Sequence, residues 1–144
     1  MDERRAERGL TWVSFLLVVL VVAGGYWAWV FGPAYIDNSS VKQICATGAN
    51  LAYTERNDAT LRSWLYSHIR EQFAYDYVQT NGMPAKGYKI EFEPSDVRLD
   101  RTQVPPRIRI DISYSRTIEL PIIGGARTLV FNDHAEQDLS PVKW

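Results

Sequence analysis

The chain has 144 residues, a single cysteine and a formal net charge of −1. A near-neutral balance with no basic block and no glycine-aromatic repeat argues against nucleic acid as a partner. One cysteine excludes an internal disulfide, so the folded part is held by packing, and the length leaves room for one small core.

The first nine residues, MDERRAERG, read as a short polar cytoplasmic tail. From Leu10 to Phe31 there is no Asp, Glu, Lys, Arg or His. Roughly 20 such residues at ~1.5 Å each cross the ~30 Å hydrocarbon core of a bilayer, so residues 10–32 are expected to be a transmembrane helix. Trp12 stands at one end of it, and Trp27, Trp29 and Tyr35 cluster with Tyr26 and Phe31 at the other. Rings with a polar tip settle in the headgroup zone, which makes Trp12, Trp27, Trp29 and Tyr35 the expected membrane-interface anchors. Arg4, Arg5 and Arg8 precede the span closely, whereas the first basic residue after it is Lys42. That asymmetry places the N-terminus in the cytoplasm and residues 33–144 outside. A cleaved signal peptide is the competing reading, with Gly32 and Ala34 as small residues near a cut. Its apolar stretch would be shorter, however, and would not end in bulky aromatics.

Within the span, Gly24, Ala28 and Gly32 recur every fourth residue and share one helix face. Small residues at that spacing let two helix backbones approach, so this is the expected helix–helix packing face, with other membrane helices, an envelope protein or a second copy of the chain as partner. The bland reading is that membrane helices are rich in Gly and Ala anyway.

Pro33 either ends the span or kinks a helix that resumes beyond it. Ile36, Val41, Ile44, Cys45, Gly48, Leu51 and Ala52 follow a mostly helical spacing, so an amphipathic helix is expected over about 35–55. Asp37, Asn38, Ser39 and Ser40 offer caps for a fresh start. Cys45 reads as a small buried hydrophobe, with an intermolecular disulfide as the alternative.

Arg8-Gly9-Leu10-Thr11, followed by a long apolar helix, resembles the leader junction of type IV prepilins and pseudopilins. That resemblance implies cleavage between Gly9 and Leu10 and subunit assembly through the helix. Ser14 stands where that family usually carries a glutamate. The wider order, with Pro33-x-Tyr35-Ile36-Asp37 and then Val41-Lys42, is similar to a family of small single-pass bacterial membrane proteins catalogued as a domain of unknown function. The similarity is densest over residues 8–42, and it implies a bacterial inner-membrane location but no reaction.

Asp58 or Thr60 is expected to cap a second helix over about 59–75. Leu61, Trp64, Leu65, His68, Ile69 and Phe73 form its apolar stripe, with His68 as a packing histidine. Thr80 to Pro84 reads as a loop. From Gly87 the period becomes two: Tyr88, Ile90 and Phe92, then Val97 and Leu99, then Ile108, Ile110, Ile112 and Tyr114. Gly124-Gly125 turns the chain, and Arg127 to about Glu136 returns as a hairpin partner. Residues from Asp133 on also read as the start of a polar tail, at whose end Trp144 could dock. The expected fold is therefore α+β: an N-terminal transmembrane helix, then one or two amphipathic helices on a three- to four-stranded antiparallel sheet spanning about 87–136.

Glu91, Glu93, Asp96, Arg98, Asp100, Arg107, Arg109 and Asp111 alternate in sign on the wet side of these strands. A solvated face with cross-strand ion pairs explains them. No nucleophile elbow, phosphate loop or metal-ligand spacing is present in the sequence, so no residue is assigned a catalytic, cofactor-binding or metal-ligating role. The expectation is a non-enzymatic anchored interaction or assembly protein of the bacterial envelope, with a pseudopilin-like subunit as its variant. An anchored enzyme or small-ligand binder would instead place several of those charges in a concave pocket.

Overall fold

The computed structural model describes residues 3–141, with side chains described from Trp12 onward. The molecule is α+β and falls into two units, residues 1–33 and 34–144. Helix α1 (Glu3–Leu51) runs through both and carries Pro33 inside it. The stretch read as a short polar tail is thus helical from Glu3. Ala, Glu and Arg are good helix formers, and extending a helix already nucleated costs little. No break occurs at Pro33 or at the capping signals after it. Asp37 and Asn38 spend their side chains on strand residues instead, as described below.

In the second unit, α1 buries Ala34, Asn38, Val41, Cys45 and Ala49 along one stripe, with Ala52 buried just past its end, while Ile36, expected inside, faces out. Helix α2 (Asp58–Gln72) buries Leu61, Leu65 and Ile69. Its N-cap is Asn57, whose Oδ1 accepts from the backbone N–H of Ala59 at 3.0 Å. Of the two expected caps, Asp58 is instead engaged by Arg101 and Thr60 lies inside the helix. His68 is also not a core residue. It is exposed, stacks on Trp64 at 4.1 Å, and its Nδ1 lies 2.9 Å from the Trp64 carbonyl one turn back.

Strands β1 (Ala74–Val78) and β2 (Pro84–Tyr88) form a hairpin across the stretch read as a helix end and a loop. Gly82, with φ of +80°, lies in its turn. The alternation at Ile90 and Phe92 shows in burial, but residues 89–93 make no strand. Their backbone meets the main sheet only at a bridge between Glu91 and Ser115, and Pro94 then opens a short 3₁₀ turn. The main sheet is antiparallel, in the order β3 (Val97–Gln103), β4 (Pro106–Glu119), β5 (Ala126–Asp138). Ile108, Ile110, Ile112 and Tyr114 face the helices, as their alternation predicts. Strand β5 continues to Asp138, so Asp133–Asp138 belongs to the sheet and not to a tail, and the Tyr53 hydroxyl donates to the Ser140 carbonyl at 3.1 Å. Trp144 lies outside the described residues.

Gly48 marks a close approach of α1 to α2. A Cβ built there would sit 2.6 Å from Leu65 Cδ2 and 3.2 Å from its Cγ, and Leu65 is fully buried. Overpacking of that kind costs about 1–3 kcal/mol. Gly48→Val is therefore expected to lower the stability of the unit by about that amount in urea unfolding of the full chain in detergent micelles. Unchanged stability would mean that the two helices can separate freely there.

Candidate functional site

Two features go beyond an ordinary core: the uncovered surface of the apolar helix, and the polar seam where α1 meets β4 and β5.

In the first unit, Trp12 through Val22 are exposed along their whole length, as are Trp27 and Trp29. This helix is long and apolar enough to cross a membrane. A Cβ added at Gly24 or Gly32 would meet nothing within 4 Å, so the small-residue face at Gly24, Ala28 and Gly32 is open. The aromatic side chains lean on their neighbours, Trp12 against Phe15 at 6.3 Å and Trp27 against Phe31 at 5.5 Å. Gly9 and Leu10 fall within α1, but their side chains lie outside the described residues. Tyr35 belongs to the second unit. It is half exposed and sets its ring edge-on to Phe131 at 5.9 Å.

The seam is built from the polar residues just past Pro33. Arg116 donates to the Asp37 carboxylate, with both side chains largely covered. The Tyr114 hydroxyl donates to Asn38 Oδ1 at 2.7 Å, and Asn38 is itself buried. Asp133, on the inner face of β5 opposite Ile112, is buried beside them with Lys42 Nζ 3.8 Å from its Oδ1. Its Oδ2 has no hydrogen-bond partner among the described residues.

Burial raises the Asp133 carboxyl above its usual range, opposed by the Lys42 ammonium and by a hydrogen bond from Asn38. The same burial, reinforced by Asp133, pushes the Cys45 thiol up to about 12 and the Tyr114 phenol higher still. Both groups are therefore neutral at physiological pH, and Cys45, fully buried, is in no position for an intermolecular disulfide.

A carboxyl whose folded pKa lies above its unfolded one binds its proton more tightly in the native state. The stability it contributes is complete below the unfolded value near 3.8 and is lost as pH rises through the folded value. Asp138, held low by Ser140, acts only on the acid side of that window. Asp133→Asn is thus expected to flatten the decline in stability above about pH 4 and to melt higher than the parent at pH 8. Thermal scans across that range would refute this if the two slopes coincide.

The outer face of the sheet carries the alternating charges. Arg107 pairs with Glu136 at 3.2 Å, Arg109 with Asp111 at 3.0 Å, and Ser113 donates to Asn132 at 2.8 Å. Asp96, Arg98, Arg109, Asp111 and His134 line a polar depression open to solvent. Several of the expected charges do meet there. Arg109 already engages Asp111, and no cluster of three His, Cys, Asp or Glu able to hold a metal occurs among the described residues.

The seam was not legible as a site. An aspartate at an inward strand position, in step with Leu129, Phe131 and Ala135, is the one signal that could have found it. Comparison with protein-family models, curated proteins and solved structures finds no match to this chain. The resemblance to prepilin-like and small single-pass bacterial proteins therefore rests on the residues that carry it.

Proposed function

We propose that this chain is a single-pass, membrane-anchored interaction or assembly component of the bacterial envelope, non-enzymatic, with its N-terminus in the cytoplasm and residues 34–144 outside. The observation that carries the reading is the uncovered apolar helix with its open Gly24, Ala28 and Gly32 face. In lipid there is no hydrophobic gain from merely hiding such a helix, so close backbone packing on small residues is what draws a second helix to it. The polar seam supports the same reading. It fastens the sheet of the folded unit to the helix residues of that same unit that immediately follow the span.

The test is disulfide cross-linking in native membranes. Single cysteines at residues on the Gly24 face, in a Cys45→Ala background, should capture a second helix, and Gly24→Leu with Gly32→Leu should abolish the product. Capture that is indifferent to those substitutions, or absent throughout, rejects the helix-packing reading.

A pseudopilin-like subunit is the second reading. It is favoured by the second half of α1 lying along a three-stranded antiparallel sheet. Intact mass of the protein purified from membranes decides it. A chain beginning at Leu10 supports prepilin-type processing, and one retaining the residues before Gly9 rejects it.

A further inference from the structure

The β4–β5 hairpin ends in Leu120-Pro121-Ile122-Ile123-Gly124-Gly125-Ala126, seven residues without a charge between Glu119 and Arg127. The loop is closed by its own backbone, with the Leu120 N–H donating to Gly125 O and the Gly124 N–H to Leu120 O, each at 2.9 Å. Gly124 and Gly125 supply the positive φ values, +76° and +93°. The turn is therefore made by Pro and Gly, and Ile122 and Ile123 are not needed for it. They are nonetheless 75% and 74% exposed, side by side at the tip. Adjacent bare isoleucines on a structured turn mark a contact surface.

The second unit itself shows which way this tip points. Arg101 reaches the Ala52 carbonyl, Tyr114 reaches Asn38 and Arg116 reaches Asp37, so β4 runs antiparallel to α1. From Asp37 to Ala52 the helix rises roughly 22 Å. The matching length of β4, from Ile108 opposite Arg101 to Arg116, is roughly 26 Å. The two are nearly aligned. Past Arg116 the strand continues for three residues to Glu119, roughly 10 Å, before the turn begins, whereas the helix has only about 5 Å left before Ala34. The strand alone thus passes by about 5 Å the end of the unit at which the chain arrives from its apolar span, and the turn from Leu120 to Gly125 follows it.

We propose that the tip, Leu120–Ala126, dips into the outer bilayer interface as a second membrane contact, with Arg127 at its base meeting lipid phosphate. The occupant is lipid rather than protein because the overhanging end is the one where the anchored chain emerges, and because the tip is a small apolar turn with its only charges, Glu119 and Arg127, at its base. The inference rests on the anchored reading. With two points of attachment, the outer domain would be held against the membrane surface instead of swinging from the helix.

The test uses the full chain in nanodiscs of phosphatidylethanolamine and phosphatidylglycerol. Single cysteines at Ile122, Ile123, Val18 and Asn81, in a Cys45→Ala background, would carry an environment-sensitive fluorophore. The expected result is a blue-shifted emission at Ile122 and Ile123 that lipids brominated near the headgroup quench and aqueous iodide does not, with Asn81 showing the reverse. If Val18 is quenched by brominated lipid but both tip positions are quenched by iodide, the tip contact is wrong and the anchor stands. Tip positions shielded from both quenchers would mean a protein partner, and would also overturn the proposal. If Val18 itself is quenched by iodide alone, the anchor fails and the tip contact fails with it.

Discussion

Tyr114→Ala is expected to cost about 3–5 kcal/mol of unfolding free energy, and Tyr114→Phe about 1–3 kcal/mol, the two values separating what the ring does from what the hydroxyl does. The ring is buried at the centre of the seam, stacked on Phe131 at 5.3 Å and tilted against Phe73 at 5.6 Å. Truncation leaves a cavity between α2, β4 and β5 that these neighbours fill only in part. The phenylalanine variant keeps the packing but strands Asn38 Oδ1, a buried acceptor that loses its O–H donor. Adding Asn38→Leu to Tyr114→Phe removes the orphan. The double variant should therefore recover part of the loss, giving a coupling that a double-mutant cycle measures. Urea unfolding of the full chain in micelles checks all three. A phenylalanine variant as stable as the parent would mean that the Tyr114–Asn38 bond contributes nothing, and that the seam is held by aromatic packing and Arg116 alone.

The parts of this fold that could be read in advance are those where one periodicity governed a whole element. Ile108, Ile110, Ile112 and Tyr114 alternate without interruption, and Leu61, Leu65 and Ile69 recur every fourth residue, so strand β4 and helix α2 were legible. Where a local signal had two uses, the tertiary one won. Asp37 and Asn38 have the chemistry of helix caps, yet a continuous α1 costs nothing further once Arg116 and Tyr114 satisfy those side chains. Asp58 would also serve as a cap, but Arg101 claims it and Asn57 takes its place.

The β1–β2 hairpin was hidden for a different reason: its partner strand begins with Pro84 and contains Gly87, both poor strand residues by themselves. The structure uses that glycine. Gly87 lies directly opposite Tyr75, and a Cβ there would come within 2.5 Å of the Tyr75 ring, which covers the bare backbone. The seam was the least legible of all, since a buried aspartate looks in sequence like the start of a polar tail. Only the inward parity of residue 133, known once β5 is paired with β4, reveals it. The long apolar helix was legible because an unbroken run of residues without a charge allows few other readings.

The second large effect is expected at the opposite end of the same helix. Arg101, on the inner side of β3, sends Nε to Asp58 Oδ1 at 3.0 Å, Nη1 to the Ala52 carbonyl at 3.3 Å and Nη2 to the Glu55 carbonyl at 3.2 Å. The last carbonyls of α1 accept from the chain that follows, Gly48 from the Ala52 N–H and Leu51 from the Thr54 and Glu55 N–H groups, so Arg101 serves the carbonyls of the loop just past the helix. One guanidinium therefore fastens the end of α1, the connecting loop and the start of α2 to the sheet. Removing it leaves the Ala52 carbonyl, in a residue that is 1% exposed, without that donor, and leaves Asp58 without its cation. Arg101→Ala should cost about 2–4 kcal/mol, given that hydrogen bonds from charged groups are each worth about 1.5–3 kcal/mol and do not add in full. Arg101→Lys should recover less than half of this, because an ammonium is a point charge that cannot present three donors in a fixed fork. Hydrogen exchange would localise the damage: amides over residues 50–61 should lose protection while those of Ile110 and Ile112 keep theirs. Equal stability of the lysine and arginine forms would show that charge alone holds this corner. Loss of protection spread evenly over the sheet would show that Arg101 supports the whole core rather than the junction of the two helices.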